Sequence, residues 1–187
     1  MEGKRCLEII RKHYADQPTG FEACAASLAT MMDSNFVDFT LTKPWRDGGR
    51  DAIGHYAISQ GGKVNYPLKI DCALEAKCYG PNSAVGVKQM SRLISRIRYR
   101  QFGIMMTTSF VDKQAYSEVV EDGHPILIVS ASDIAGILRH NSITSSNIDF
   151  YLKSIDEENE YYIEKTGYSK PLSEQLMIAE EFFDYKV

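Results

Sequence analysis

The sequence predicts an α/β fold, a mixed central β-sheet flanked by helices on both faces, and three observations support that reading. Apolar runs of strand length (FVDFTLT, DAIGHYAIS, LKIDCALEAKCY, FGIMMTTS, HPILIVS) alternate with stretches of helical periodicity. The links among the first three runs are too short for helical crossovers, so these strands pair antiparallel, whereas the later runs are separated by helix-length segments and pair in parallel. A chain of 187 residues, 44% hydrophobic and 25% charged, is long enough for one substantial core.

Taken in order, residues near 4–14 form a first helix and PTGFEACAASLATMM a better one. Thr19 and Glu22 stand at capping-box spacing, and Phe21, Cys24, Ala25, Leu28, Met31 and Met32 make an apolar stripe. Residues 36–42 alternate as a strand until KPWRDGGRD breaks it with Pro44, Gly48 and Gly49; 51–59 resume the extended pattern. After the turn GGKVNYP, residues 68–78 are the strongest strand candidate. AVGVKQMSRLISRIRYRQ reads as one long amphipathic helix with Val87, Met90, Leu93, Ile94 and Ile97 on its apolar side. A buried strand, a short helix (DKQAYSEVVEDG), another buried strand and the helix ASDIAGILRH complete the core. From residue 154 the composition turns acidic and aromatic, so a domain over 1–153, its leading helix from about 19, is expected to carry 154–187 as a docked extension.

Composition narrows the function classes. No apolar run reaches bilayer length and Met1-Glu2-Gly3-Lys4-Arg5 leads into no signal-type segment, so a cytoplasmic protein without membrane contact is expected. The four cysteines show no CxxC pair and no His partner at zinc spacing, which fits a reducing compartment. Net charge is −4, yet between Lys43 and Arg100 eleven Lys and Arg face four acids, a local +7 that leaves −11 for the rest. The middle of the chain therefore suits an anion-binding face.

The chemistry is concentrated in LEAKCY, residues 74–79. Side chains two apart share a strand face, so Ile70, Cys72, Leu74, Ala76 and Cys78 face the core and leave Glu75 and Lys77 in a cleft or at the surface. An exposed ion pair is the bland reading. The preceding RDGGRDAIG turn changes it, because a hairpin of this length sets Asp51 beside Glu75. Two adjacent carboxylates repel unless a divalent cation lies between them, and Mg²⁺ suits hard oxygen donors. With a lysine alongside, such a cluster is equipped to hydrolyse a phosphodiester. Asp71 is a decoy, since four strand residues separate it from Glu75 by roughly 13 Å. Asp47 reads equally well as a cap on the glycine turn.

Asp51 followed by Glu75-Ala76-Lys77, with the intervening DGGRD turn, resembles the D…(D/E)xK signature of the restriction-endonuclease-like PD-(D/E)xK nucleases. In particular it resembles the Mrr-like restriction endonuclease catalytic domain. GFEACAASLATMM is similar to that family's leading helix, QFGIMMTTSF to its next strand, and HPILIVSASDIAGIL to its closing strand and helix; the resemblance covers roughly residues 19–140. It implies Asp51 and Glu75 as metal ligands for Mg²⁺ (or Mn²⁺), Lys77 as the catalytic lysine and Glu22 as an accessory acid, which the capping box explains equally well. It also implies a restriction-type DNA endonuclease acting on double-stranded DNA, a homodimer when cleaving, and a separate recognition module.

Lys88, Arg92, Arg96 and Arg100 recur every four residues, a basic stripe that needs counter-charge from DNA phosphates or from the acidic C-terminal segment. Arg46, Arg50 and Trp45 flank the turn and are placed against the nucleic-acid backbone, with a core role open for Trp45. The four histidines show no metal-ligand spacing and read as structural or surface residues, and the TTS at 107–109, lacking a Gly-x-Ser-x-Gly elbow, reads as a strand terminus. Two alternatives stand beside the nuclease: a catalytically inactive nuclease-fold DNA-binding or regulatory module, and an α/β protein whose stripe docks an acidic partner.

Overall fold

The computed structural model describes residues 1–42, 51–58, 68–97 and 102–166. Helices α1 (Glu2–His13) and α2 (Gly20–Met32) precede strands β1 (Phe36–Leu41), β2 (Ala52–Ile58) and β3 (Leu68–Lys77). There follow β4 (Ala84–Val85), α3 (Val87–Arg96), β5 (Phe102–Thr107), β6 (Phe110–Val111), α4 (Lys113–Glu121), β7 (Ile126–Val129), α5 (Ala131–His140) and α6 (Ile148–Thr166). Five strands form one sheet in the order β1-β2-β3-β5-β7. Its first two pairings are antiparallel and its last two parallel, as the loop lengths require. None of the described helices is long and apolar enough to cross a membrane.

The alternation in β3 is satisfied by two separate apolar layers. Cys72, Leu74 and Ala76 join the core that α1, α2, α5 and α6 build on one face; Ala73 joins Met90, Leu93, Met105, Ala115 and Val119 under α3 and α4 on the other. The strand is therefore buried on both faces near its C-terminal end. Gly54 on β2 has a specific reason: a Cβ there would lie 2.6 Å from the ring of Phe39, so only a glycine lets that ring cross the strand. The preceding residue, Asp38, takes a left-handed backbone (φ 59°) within the irregular β1–β2 register between Val37 and Thr40.

Three expectations are corrected. The helix expected from residue 84 begins at Val87, because Ala84-Val85 pair with Phe110-Val111 as a small parallel sheet; Gly86 then caps the helix, its N–H donating to Gln89 Oε1 at 3.3 Å. The capping box at Thr19 does not form: Thr19 is itself helical and makes no side-chain cap bond. The boundary expected at 153/154 falls inside α6, whose Leu152 is fully buried and whose Ile155 packs on the same core. On the described part of the C-terminal segment, Asp156 meets His13 at 2.6 Å and so ties α6 to α1.

Candidate active site

The antiparallel register of β2 and β3 sets the site. Ala52 pairs with Leu74, and Asp51 extends the ladder by one residue, its N–H donating to Leu74 O and its carbonyl accepting from Thr42 N, both at 3.0 Å. That step brings Asp51 beside Glu75. Asp51 Oδ2 accepts the Ala76 N–H at 2.7 Å, so the aspartate is locked to the backbone in the middle of the ExK sequence. Lys77 Nζ then lies 3.3 Å from Asp51 Oδ2, 2.8 Å from Glu75 Oε1 and 2.9 Å from the Ala76 carbonyl. Three oxygens converge on one ammonium.

Glu75 is fully buried, not at a surface or in an open cleft, because α3 and α4 cover that face of the sheet as α1, α2, α5 and α6 cover its opposite. Neither of its carboxylate oxygens receives a hydrogen bond of acceptable geometry, so Lys77 is an ion-pair neighbour only. Burial, followed by the charge of Asp51, pushes the Glu75 pKa up, and Lys77 and Arg92 only partly oppose that. Burial alone would lower the Lys77 pKa; the carboxylates of Asp51 and Glu75 outweigh it, and the net direction is upward.

A buried carboxylate lacking hydrogen bonds is costly and marks a place where a cation belongs. Among the described residues no three His, Cys, Asp or Glu side chains converge, so the donor set is the Asp51–Glu75 pair with nearby main-chain oxygen. All of these are hard oxygen donors, the chemistry Mg²⁺ and Mn²⁺ take, with positions left for water or phosphate.

Other expected residues are placed unevenly. Glu22 stands half-buried on the first turn of α2. Lys88 and Arg92 are exposed on α3, and Arg92 is close enough for its charge to act on Glu75; Arg96 is half-buried, with its Nε enclosed and lacking a hydrogen-bond partner. Arg46, Arg50, Arg100, Trp45 and Asp47 lie outside the described residues. Asp71 meets His55 at 3.4 Å, well along the strand from Glu75. His55 also approaches Asp38 at 3.6 Å, and His124 faces Asp122 at 3.8 Å.

The TTS at 107–109 is a strand terminus, as its sequence indicates, and its bonding reaches the site. Thr107, Thr108 and Ser109 are buried polar residues at the exit of β5, and they bond the exit of β3: the Thr107 hydroxyl donates to Lys77 O at 3.0 Å and Thr108 N to the same oxygen at 3.2 Å. Three consecutive hydroxyl residues ending an apolar strand mark the terminus, and the structure adds their bonds to the exit of β3.

With this geometry in place, comparisons with known proteins are specific. The Mrr_cat family model, described as "Restriction endonuclease", matches residues 15–138. The DNA modification-dependent restriction endonuclease AspBHI superimposes with a TM-score of 0.74 at 48% identity, over 83% of this chain and 40% of AspBHI. The MspJI restriction endonuclease, in complex with a 27-mer oligonucleotide, gives 0.70 at 25% identity, over 81% of this chain and 35% of MspJI. The chain thus spans well under half the length of each. No curated protein matches it.

Proposed function

Since the chain belongs to the Mrr-like restriction-endonuclease family, we propose that it is a divalent-metal-dependent DNA endonuclease that hydrolyses phosphodiester bonds with water and forms no covalent intermediate. The observation that carries this reading is the fully buried Glu75 carboxylate, both oxygens without a hydrogen bond, beside Asp51 and Lys77.

In this mechanism Asp51 and Glu75 would hold Mg²⁺ or Mn²⁺. Such an ion, when bound, polarises a phosphodiester oxygen and acidifies water. The chain's residues do the rest. The Ala76 N–H fixes the orientation of Asp51, and burial keeps bulk water off Glu75. Lys77, its charge maintained by two carboxylates, orients the attacking water and stabilises the negative charge that grows on the phosphate oxygens. One P–O bond to a sugar oxygen breaks as one to the water oxygen forms. Lys88, Arg92 and Arg96 neutralise neighbouring phosphates, the same role is assigned to Arg100, Arg46 and Arg50 on charge alone, and Glu22 is an accessory acid.

Duplex DNA carrying modified bases is the proposed substrate class, following AspBHI. One site per chain requires two copies to cut both strands, so a homodimer is the cleaving form, with base recognition supplied by a separate module, in a cytoplasmic setting. Incubation of modified and unmodified plasmid with the protein in Mg²⁺ or EDTA is the test. Mg²⁺-dependent breaks that disappear in Lys77→Ala are expected; duplex binding without breaks would leave a catalytically inactive DNA-binding or regulatory module instead.

A further inference from the structure

We infer that Arg11, on the N-terminal helix and outside the residues the family model matches, is a positioning residue that sets Lys77 in place through the paired exits of β3 and β5. Its Nε donates to the Tyr79 carbonyl at 3.0 Å and its Nη2 to the Thr108 carbonyl. These carbonyls lie two residues and one residue beyond the last register pair of the two strands, Lys77 with Thr107. The guanidinium therefore adds one more cross-link where the β-ladder stops.

The link continues inward. The Thr108 hydroxyl donates to Tyr79 O and accepts from Tyr79 N, each at 2.9 Å, so Tyr79 is held by Arg11 and Thr108 together. Thr108 N and the Thr107 hydroxyl both donate to the Lys77 carbonyl. Lys77 is thus bracketed on its backbone by groups whose spacing the planar fork of Arg11 fixes, and a lysine has only one ammonium for the two carbonyls. Without the fork, two half-buried carbonyls lose their charged donor and the strand exits are free to separate, which displaces Nζ from the carboxylates. Small displacements of reacting groups caused by remote changes cost up to about 100-fold in rate.

The role rests on the nuclease reading, and two measurements keep the fates of the two separate. In single-turnover cleavage, Arg11→Ala is expected to lose about 10- to 100-fold in rate with duplex affinity unchanged. Arg11→Lys should fall between, and added guanidinium should restore part of the Arg11→Ala rate. Leu7→Ala, a core residue of the same helix, is the control for lost helix packing and should leave the rate per folded molecule unchanged. Independently of turnover, reductive methylation read by mass spectrometry should modify Lys77 severalfold faster in Arg11→Ala while exposed Lys88 is modified at the original rate. Equal Lys77 labelling in the two proteins, or equal rate losses in Arg11→Ala and Leu7→Ala, overturns the positioning role. If the unmutated protein never cleaves, the labelling still decides it.

Discussion

Strand β3 carries two clusters built from nearly the same residue types, on one sheet face and four residues apart. At its N-terminal end Asp71 and Lys69 join Asp38 and His55; at its C-terminal end Glu75 and Lys77 join Asp51. The outer cluster is wetter, with 47% of the Lys69 side chain, 37% of Asp71, 33% of His55 and 21% of Asp38 exposed; the inner one is drier, with 20% of Lys77, 11% of Asp51 and 1% of Glu75 exposed. Solvent screens the outer charges and makes their mutual placement nearly indifferent. In the inner cluster the missing water leaves a carboxylate without hydrogen bonds and raises the pKa of Glu75, while the Asp51 and Glu75 carboxylates raise that of Lys77 against the effect of burial. What separates reactive from ordinary is desolvation, not composition.

The largest effect should come from breaking the inner cluster. Lys77→Ala is expected to reduce single-turnover plasmid cleavage by about 10³-fold, the scale of losing one preorganised charge stabiliser, while gel-shift affinity for the same duplex persists. Asp51→Asn should be comparably inactive, since the Asn oxygen still accepts from Ala76 N but the charge is gone. A lysine variant that cut at the original rate would put the chemistry elsewhere.

Glu75→Gln separates stability from activity. Cleavage should vanish, yet the fold should gain about 1–2 kcal/mol in urea titration at neutral pH, because an unsatisfied buried charge is removed. The sign with pH is fixed: a carboxyl whose folded pKa lies above its unfolded 4.5 makes the native state progressively less stable as pH rises between those two values. The advantage of Gln over Glu should accordingly be full above the folded pKa and shrink to nothing below 4.5. For the same reason calorimetric affinity for Mg²⁺ should decline on acidification at a pH above the ordinary glutamate range, since ion and proton compete for Glu75.

A smaller effect tests the surface that brings DNA to the inner cluster. Lys88→Ala should reduce the slope of log affinity against log salt by about 1, a loss of one phosphate contact, with little change in cleavage of bound DNA. Arg92→Ala should do the same and also slow cleavage, because its charge acts on Glu75. A salt slope unchanged in both variants would remove α3 from the DNA interface.

Much of the sheet was readable because apolar runs and loop lengths fix strand pairing locally: β2 and β3 had to form a hairpin, and its register brought Asp51 to Glu75. Burial of Glu75 was not readable, since alternation in LEAKCY assigns one apolar face and gives no sign that α3 and α4 build a second core over the other. The capping box at Thr19 was a correct spacing overridden by a helical turn at Pro18–Thr19. Arg11 was invisible for a different reason: its partners are two carbonyls 68 and 97 residues away, and a backbone carbonyl carries no residue-type signature.

The smallest expected effect is on the outer cluster, and it is the sharpest check of the comparison. Lys69 pairs with Asp38, and His55 stands between Asp38 and Asp71, so a contact diagram would rate this cluster above the inner one. Exposed pairs of this kind contribute about 0.2–1 kcal/mol. Lys69→Ala should therefore shift unfolding by no more than that, the shift should fade as salt is added, and cleavage and duplex affinity should match the unmutated protein. A cleavage defect in Lys69→Ala as deep as that of Lys77→Ala would mean that the wet cluster is chemically engaged despite solvent, and that desolvation is not what distinguishes the two ends of β3.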